Sequence, residues 1–302
     1  MNIYLPIAEM SVNIFLILGL GAVTGVLSGL FGVGGGFLIT PLLMFIGVPP
    51  TVSVASAANQ IVASSLSGFM GHWRRGNVDF KMGGFLLAGG FVGSTLGVGL
   101  FRWLKDIGQI DLIISVSYVS FLGVIGAMMA GESIRSILKV QKKSAAAETA
   151  RLAHQLPFKV LFPRSKIEIS AIMPVCIGFF VGIMVSLMGI GGGFFLIPAM
   201  IYLLGMPTSI VIGTSLFQII FITANVTLLQ AITTQTVDVI LALLLLTGAV
   251  FGAQFGSSLS TKLPAEYLRG LLALMVIVLA TKLAFNLFTP PDNIYSVSVL
   301  DD

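Results

Sequence analysis

The chain has 302 residues, of which 56% are apolar and only 9% charged, with a formal net charge of +4. So little polar surface excludes a water-soluble globule and places the chain in a bilayer. The small basic excess is a topology signal and an attraction to anionic headgroups, not the footprint of a nucleic-acid binder.

An acidic leader without Lys or Arg, carrying Glu9, precedes an apolar stretch at 12–30. No small-residue cleavage site follows, so this stretch reads as a retained helix rather than a signal peptide. Next come Gly32, Gly34, Gly35 and Gly36, then an apolar run from Phe37 to Ile46. Three adjacent glycines disfavour a continuous helix, each costing about 1 kcal/mol relative to Ala, and the chain breaks there. The run that follows is about half the roughly 20 residues a crossing needs, and reads as a half-helix. In hydrocarbon the freed backbone groups are tolerated only where buried in protein or lining a cavity, which puts a site or pore near the midplane. A half-helix start offers unpaired N–H groups and positive partial charge, so an anion is its natural guest. Pro41 kinks or ends the half-helix.

The apolar stretch 53–70 carries Ser56, Asn59, Gln60 and Ser64 on one helical face. Polar groups in a membrane helix need partners in the bundle interior, and these have two roles open to them: contact with a substrate, or hydrogen bonds between helices. Serines and threonines can also bond their own backbone. Loop 71–81 holds Arg74, Arg75 and Lys81, with His72 read as interfacial. Apolar stretches at 82–103 and 111–129 follow. Gly89, Gly93 and Gly97, spaced four apart, form a helix-packing face.

Glu132 to Glu168 is the long polar connection, with Arg135, Lys139, Lys142, Lys143, Arg151, Lys159, Arg164 and Lys166 against three glutamates. By the positive-inside rule it is cytoplasmic. Its piece 145–153 reads as helical. Further apolar stretches lie at 170–188, 209–230, 237–260 and 270–288, with a second half-helix from Phe194 to Leu204. Cys176, the chain's one cysteine, excludes an internal disulfide and reads as a buried apolar filler.

The second half repeats the first. Gly32 and Pro41 map onto Gly189 and Pro198 at a shift of 157; Pro49 and Gln60 map onto Pro207 and Gln218 at 158; Asp79, Gly89, Gly93 and Gly97 map onto Asp238, Gly248, Gly252 and Gly256 at 159. Drift by single insertions with landmarks intact marks a diverged duplication. Residues 1–130 are the first membrane repeat, 131–168 a basic linker, 169–290 the second repeat and 291–302 an acidic tail. The candidate substrate-binding residues are Gly34, Gly35, Gly36, Ser56, Asn59 and Gln60 in one half, with Gly191, Gly192, Gly193, Thr214, Ser215 and Gln218 in the other. Thr223 is a further polar residue of the same helix as the last three.

Positive charge changes sides between equivalent loops: 71–81 holds Arg74, Arg75 and Lys81, while 233–236 holds none; Lys105 and Asp106 balance, while Lys262 and Arg269 outweigh Glu266. That is the pattern of inverted repeats with both termini outside. The fold class expected is therefore an all-α integral membrane protein with two homologous, inverted repeats. Asp79, Asp111, Glu168, Asp238 and Glu266 fall at predicted helix ends, and Arg102, Lys262, Arg269 and Lys282 snorkel. With no metal cluster, nucleophile–base pair or phosphate loop in the pattern, no catalytic residue, metal or cofactor is expected, and the chain does not read as an enzyme.

The segments GLFGVGGGFLITPLL with VPPTVSVASAANQ, and SLMGIGGGFFLIPAM with MPTSIVIGTSLFQ, resemble the duplicated motif of the TauE/SafE sulfite exporter family, also called the toluene sulfonate uptake permease family. The resemblance covers nearly the whole chain. It implies an inner-membrane transporter of small sulfur-containing anions such as sulfite, sulfoacetate or other short organosulfonates. The first half departs from the pattern, with Asn59 and Gln60 after SVASAA where the second has GTSLFQ, which leaves the half-sites unequal. Neutral amide donors without a buried cation suit an anion that must bind and then leave. Two rivals use the same features: a channel lined by the glycine breaks, or a membrane scaffold that recruits partners through glycine faces and the basic loop.

Overall fold

The computed structural model describes residues 2–31, 35–137, 158–260, 274 and 276–285. Its first half consists of strands β1 (Asn2–Leu5) and β2 (Met10–Asn13), then helices α1 (Ile14–Phe31), α2 (Gly36–Phe45), α3 (Pro50–Arg74), α4 (Phe80–Asp106) and α5 (Ile110–Ile137). The second half has the same order: β3 (Lys159–Phe162), β4 (Ile167–Ser170), α6 (Ile172–Met188), α7 (Gly193–Tyr202), α8 (Thr208–Thr233), α9 (Val239–Ser260) and α10 (Val276–Phe285). A helix lies at each expected apolar stretch, the last described only at 274 and 276–285, and both half-helices are present. Phe80–Asp106, Ile210–Thr233 and Val239–Gly256 are long and apolar enough to cross a membrane. The helical reading of 145–153 lies outside the described residues.

The chain is not purely helical, because each half opens with a short antiparallel hairpin. The two hairpins match residue for residue at a shift of 157: Leu5 pairs with Met10 as Phe162 pairs with Ile167. Each turn starts at a proline, Pro6 or Pro163, and ends in a left-handed residue, Glu9 at φ 52° or Lys166 at φ 53°. Proline presets the first turn residue, and the left-handed residue carries the chain back into the second strand. Four-residue strands leave too short an alternation for a sequence reading. Neither hairpin is among the elements expected from the sequence.

The halves are joined across, not end to end. Gly89, Gly93 and Gly97 of α4 meet Val175, Phe179 and Ile183 of α6; Gly21 and Gly25 of α1 meet Leu245 and Ala249 of α9. Contacts climb both helices in the same sense, so each pair is parallel. A Cβ on Gly93 would stand 2.0 Å from the Phe179 carbonyl oxygen, and one on Gly252 would stand 2.1 Å from that of Ala22. The packing role expected of these glycines is their observed one. Small residues on the partners, Gly178 and Gly182 in α6 and Gly21 and Gly25 in α1, complete the close approach.

Both long helices of these pairs start at a buried aspartate. Asp79 accepts from Met82 N–H at 3.0 Å, and Asp238 from Leu241 N–H at 3.1 Å, capping α4 and α9. Each aspartate also holds the other half's hairpin: Asp79 takes Ser165, and Asp238 takes the N–H of Ile7 at 3.1 Å. Pro41 and Pro198 end neither half-helix; α2 and α7 run on to Phe45 and Tyr202. Cys176 requires a correction, since it is exposed. The α6 stripe of Val175, Gly178, Phe179 and Gly182 faces α4, and a residue one step along the helix turns roughly 100° away from its neighbour.

Candidate functional site

Each half-helix starts in the protein interior, just after a left-handed glycine. Gly35 at φ 68° and Gly192 at φ 73° are the left-handed residues immediately before α2 and α7, with no side chain capping either helix. The first bonds of each ladder come from Leu38 and Phe195, to the carbonyls of Gly35 and Gly192. The N–H groups of Gly36 and Phe37, and of Gly193 and Phe194, therefore stand ahead of the ladders. The starts adjoin: the rings of Phe37 and Phe194 stack at 4.6 Å. A Cβ on Gly36 would lie 2.1 Å from Ile61 Cδ1 and 2.8 Å from the Gly189 carbonyl oxygen, and one on Gly191 would lie 2.7 Å from Ile61 Cγ2. Ile61 of α3 thus wedges between the two breaks. Gly34 lies outside the described residues.

The polar residues of α3 and α8 separate into two groups. Ser56 and Thr214 serve the helix starts: the Asp238 N–H donates to Ser56 Oγ at 3.2 Å and the Asp79 N–H to Thr214 Oγ1 at 3.0 Å. Ser215 donates to the Ile212 carbonyl at 2.9 Å, Ser64 to that of Ile61 and Thr223 to that of Ile219. Asn59 is half-buried. Gln60 and Gln218 form the second group, each fully buried, and the Oε1 of each has no hydrogen-bond partner.

The two glutamines differ in what they reach. Gln60 Nε2 donates to Thr24 Oγ1 at 2.8 Å, whereas Gln218 Nε2 lies 3.5 Å from the Leu86 carbonyl oxygen of α4. The reason is in the first helix of each half. Thr24 and Ser28 surround Gly35, with Ser28 Cβ at 2.9 Å and the Thr24 carbonyl oxygen at 3.0 Å from where its Cβ would be. At the shift of 157 their counterparts are Val181 and Val185, whose methyls come within 2.5 and 2.9 Å of the same point on Gly192. Hydroxyls line one break and methyls the other. Thr24 and Ser28 escaped the sequence reading, which searched the helix after each break rather than the one before it.

Tyr118 of α5 was missed as well. Its buried hydroxyl donates to the carbonyl of Met188, the last residue of α6, which satisfies a helix-end acceptor beside the second break. Asymmetry thus extends to the fifth helix, where Ile277 holds the position related to Tyr118 by the shift of 159.

The family described as Sulfite exporter TauE/SafE matches residues 17–283. Among curated proteins, the chain is 29% identical to "Probable membrane transporter protein YjnA" of Bacillus subtilis, over 91% of this chain and 100% of that protein. It is 26% identical to "Probable membrane transporter protein YunE" of the same organism, over 92% of this chain and 98% of that one. A "Probable membrane transporter protein" of Xylella fastidiosa is 27% identical over 89% and 94%. No solved structure matches the chain.

Proposed function

The chain belongs to the sulfite exporter TauE/SafE family of membrane transporters, and we propose that it carries a small sulfur-containing anion, sulfite or a short organosulfonate such as sulfoacetate, by alternating access. The observation that carries this reading is the meeting of two half-helix starts, α2 and α7, across the Phe37–Phe194 stack. Their leading N–H groups and dipoles favour negative charge, and no full cation is needed to hold it. Gly35, Gly36, Gly192 and Gly193 present backbone to the anion, and Gln60 and Gln218 supply amides. An amide nitrogen carries two N–H groups, and each glutamine engages one, at Thr24 or at the Leu86 carbonyl, which leaves the second to donate to an anion. Ser56 and Thr214 act indirectly, by fixing the starts of α9 and α4.

Inversion of the halves is part of the same proposal. Asp79 ties loop 71–81 to the hairpin that ends the linker, and Asp238 ties loop 233–238 to the hairpin at residues 2–13. The basic loop and the basic hairpin 159–170 thus share one end of the bundle; loop 233–238, which has no Lys or Arg of its own and takes Lys105 at the Thr234 carbonyl, shares the other with the acidic leader. This supports a cytoplasmic linker in an inner-membrane protein with both termini outside. Rocking of one half against the other would then expose the site to each side in turn.

The test is stabilisation of the purified protein by a panel of sulfite, sulfoacetate, other short sulfonates, phosphate and chloride. Selective stabilisation by sulfur oxyanions is expected. A protein indifferent to every anion would fit a scaffold and not a transporter.

A further inference from the structure

A cavity of about 390 Å³ opens where the α3–α4 turn meets the β3–β4 turn, remote from the half-helix starts. Trp73, Gly76, Phe80, Lys81, Pro163 and Arg164 line it. The Arg164 guanidinium lies over the turn, Nη1 3.6 Å from where a Cβ on Gly76 would be. Lys81 Nζ donates to the Leu161 carbonyl at 2.9 Å, which fixes the ammonium at the rim with donors to spare. Asp79 also faces the cavity, but its oxygens are taken by Met82 and Ser165. Arg74 and Arg75 close α3, and Lys166 closes the β3–β4 turn.

The repeat supplies an internal control. The second half's equivalent corner, at hairpin β1–β2 and the start of α9, has Ile7 in place of Arg164 and Ile240 in place of Lys81. The fold builds that corner without a cation, so neither of the two is required to form it, although Lys81 also lies over the Phe162 ring at 5.8 Å. Beside them lies an apolar apron: Phe69 stacks on Trp73 at 5.7 Å, Trp73 meets Phe80 edge-on at 6.5 Å, and Phe80 meets Phe217 at 5.3 Å. Trp73 is 56% exposed and Phe80 48%. A soluble anion would use the cations and leave this aromatic surface idle. A molecule with an anionic head and apolar chains uses both.

We propose that this corner binds one anionic phospholipid, its phosphate between Lys81 and Arg164 and its acyl chains against Trp73, Phe80 and Phe69. The test is native mass spectrometry of the full-length protein with phosphatidylglycerol or phosphatidylcholine, alone and with excess glycerol 3-phosphate. The wild type should hold phosphatidylglycerol about tenfold more tightly than phosphatidylcholine, and the double variant Arg164→Ile with Lys81→Ile should lose that preference. Trp73→Ala should weaken both lipids while keeping the preference. Should the double variant fail to fold, Arg164→Gln alone should reduce the preference about threefold. Undiminished preference in the charge variants would overturn the proposal. Displacement of the lipid by millimolar glycerol 3-phosphate would also overturn it, making the cavity a vestibule for soluble anions.

Discussion

Gln60 and Thr24 are joined by a 2.8 Å hydrogen bond that their counterparts, Gln218 and Val181, cannot make. The first glycine break thereby gains a polar lining that the second lacks, and the proposed site would bind its anion more tightly on the side of the first half. Thr24→Val should weaken anion affinity by roughly 1 to 3 kcal/mol, since it frees the Gln60 amide from its anchor. Val181→Thr should change it little. Titration calorimetry with the best-stabilising anion checks both, and equal effects of the two substitutions would contradict the asymmetry.

Gln60 and Gln218 offer a separation of stability from function. Each buries a group with no partner, which costs free energy in the unliganded protein. Gln60→Leu and Gln218→Leu should leave the apo melting temperature unchanged or raised while weakening anion binding by roughly 1 to 3 kcal/mol. A lowered melting temperature with unchanged affinity would make both residues packing elements.

The aspartates should behave unequally. Asp79 accepts from Met82 N–H and from both the N–H and the hydroxyl of Ser165, whereas Asp238 accepts from Leu241 and Ile7 N–H. Asp79→Ala removes a helix cap and orphans two buried donors on Ser165, at roughly 2 kcal/mol or more. Asp238→Ala should cost less. Thermal unfolding in detergent measures the order, and a larger loss at Asp238 would contradict it.

Much of this was legible in the sequence, because glycine, proline and charge are strong signals in a bilayer. The breaks at Gly35 and Gly192, the half-helices, and the packing face of Gly89, Gly93 and Gly97 follow from backbone hydrogen bonding in hydrocarbon. The partner of each helix did not follow, because Gly93 shows that something approaches closely without naming Phe179. The cross-half role of Asp79 was equally hidden: a helix-end aspartate looks like a cap, and Ser165 lies 86 residues away. Ser56 and Thr214 looked like site residues since helical spacing gives a shared face, whereas the depth at which that face meets another helix start is set by tertiary packing.

The inverted arrangement has a direct chemical test. Single cysteines in place of Arg75 and Gln235, in a Cys176→Ala background, occupy equivalent exposed loops of the two halves. A membrane-impermeant thiol reagent added to intact cells should label position 235 and spare position 75. Labelling of both from one side would require parallel repeats and remove the basis for rocking.

The measurement closest to the central claim is uptake of radiolabelled sulfite and sulfoacetate into proteoliposomes containing the wild type, Gly35→Leu or Gly192→Leu. A Leu side chain at either position would strain a left-handed backbone and occupy space already taken by Ser28 or Val181. Saturable uptake of a sulfur oxyanion by the wild type, abolished in both variants that still insert and purify as folded protein, is the predicted result. Uptake that never saturates, or wild-type affinity and rate in both glycine variants, would contradict an alternating-access site at the starts of α2 and α7.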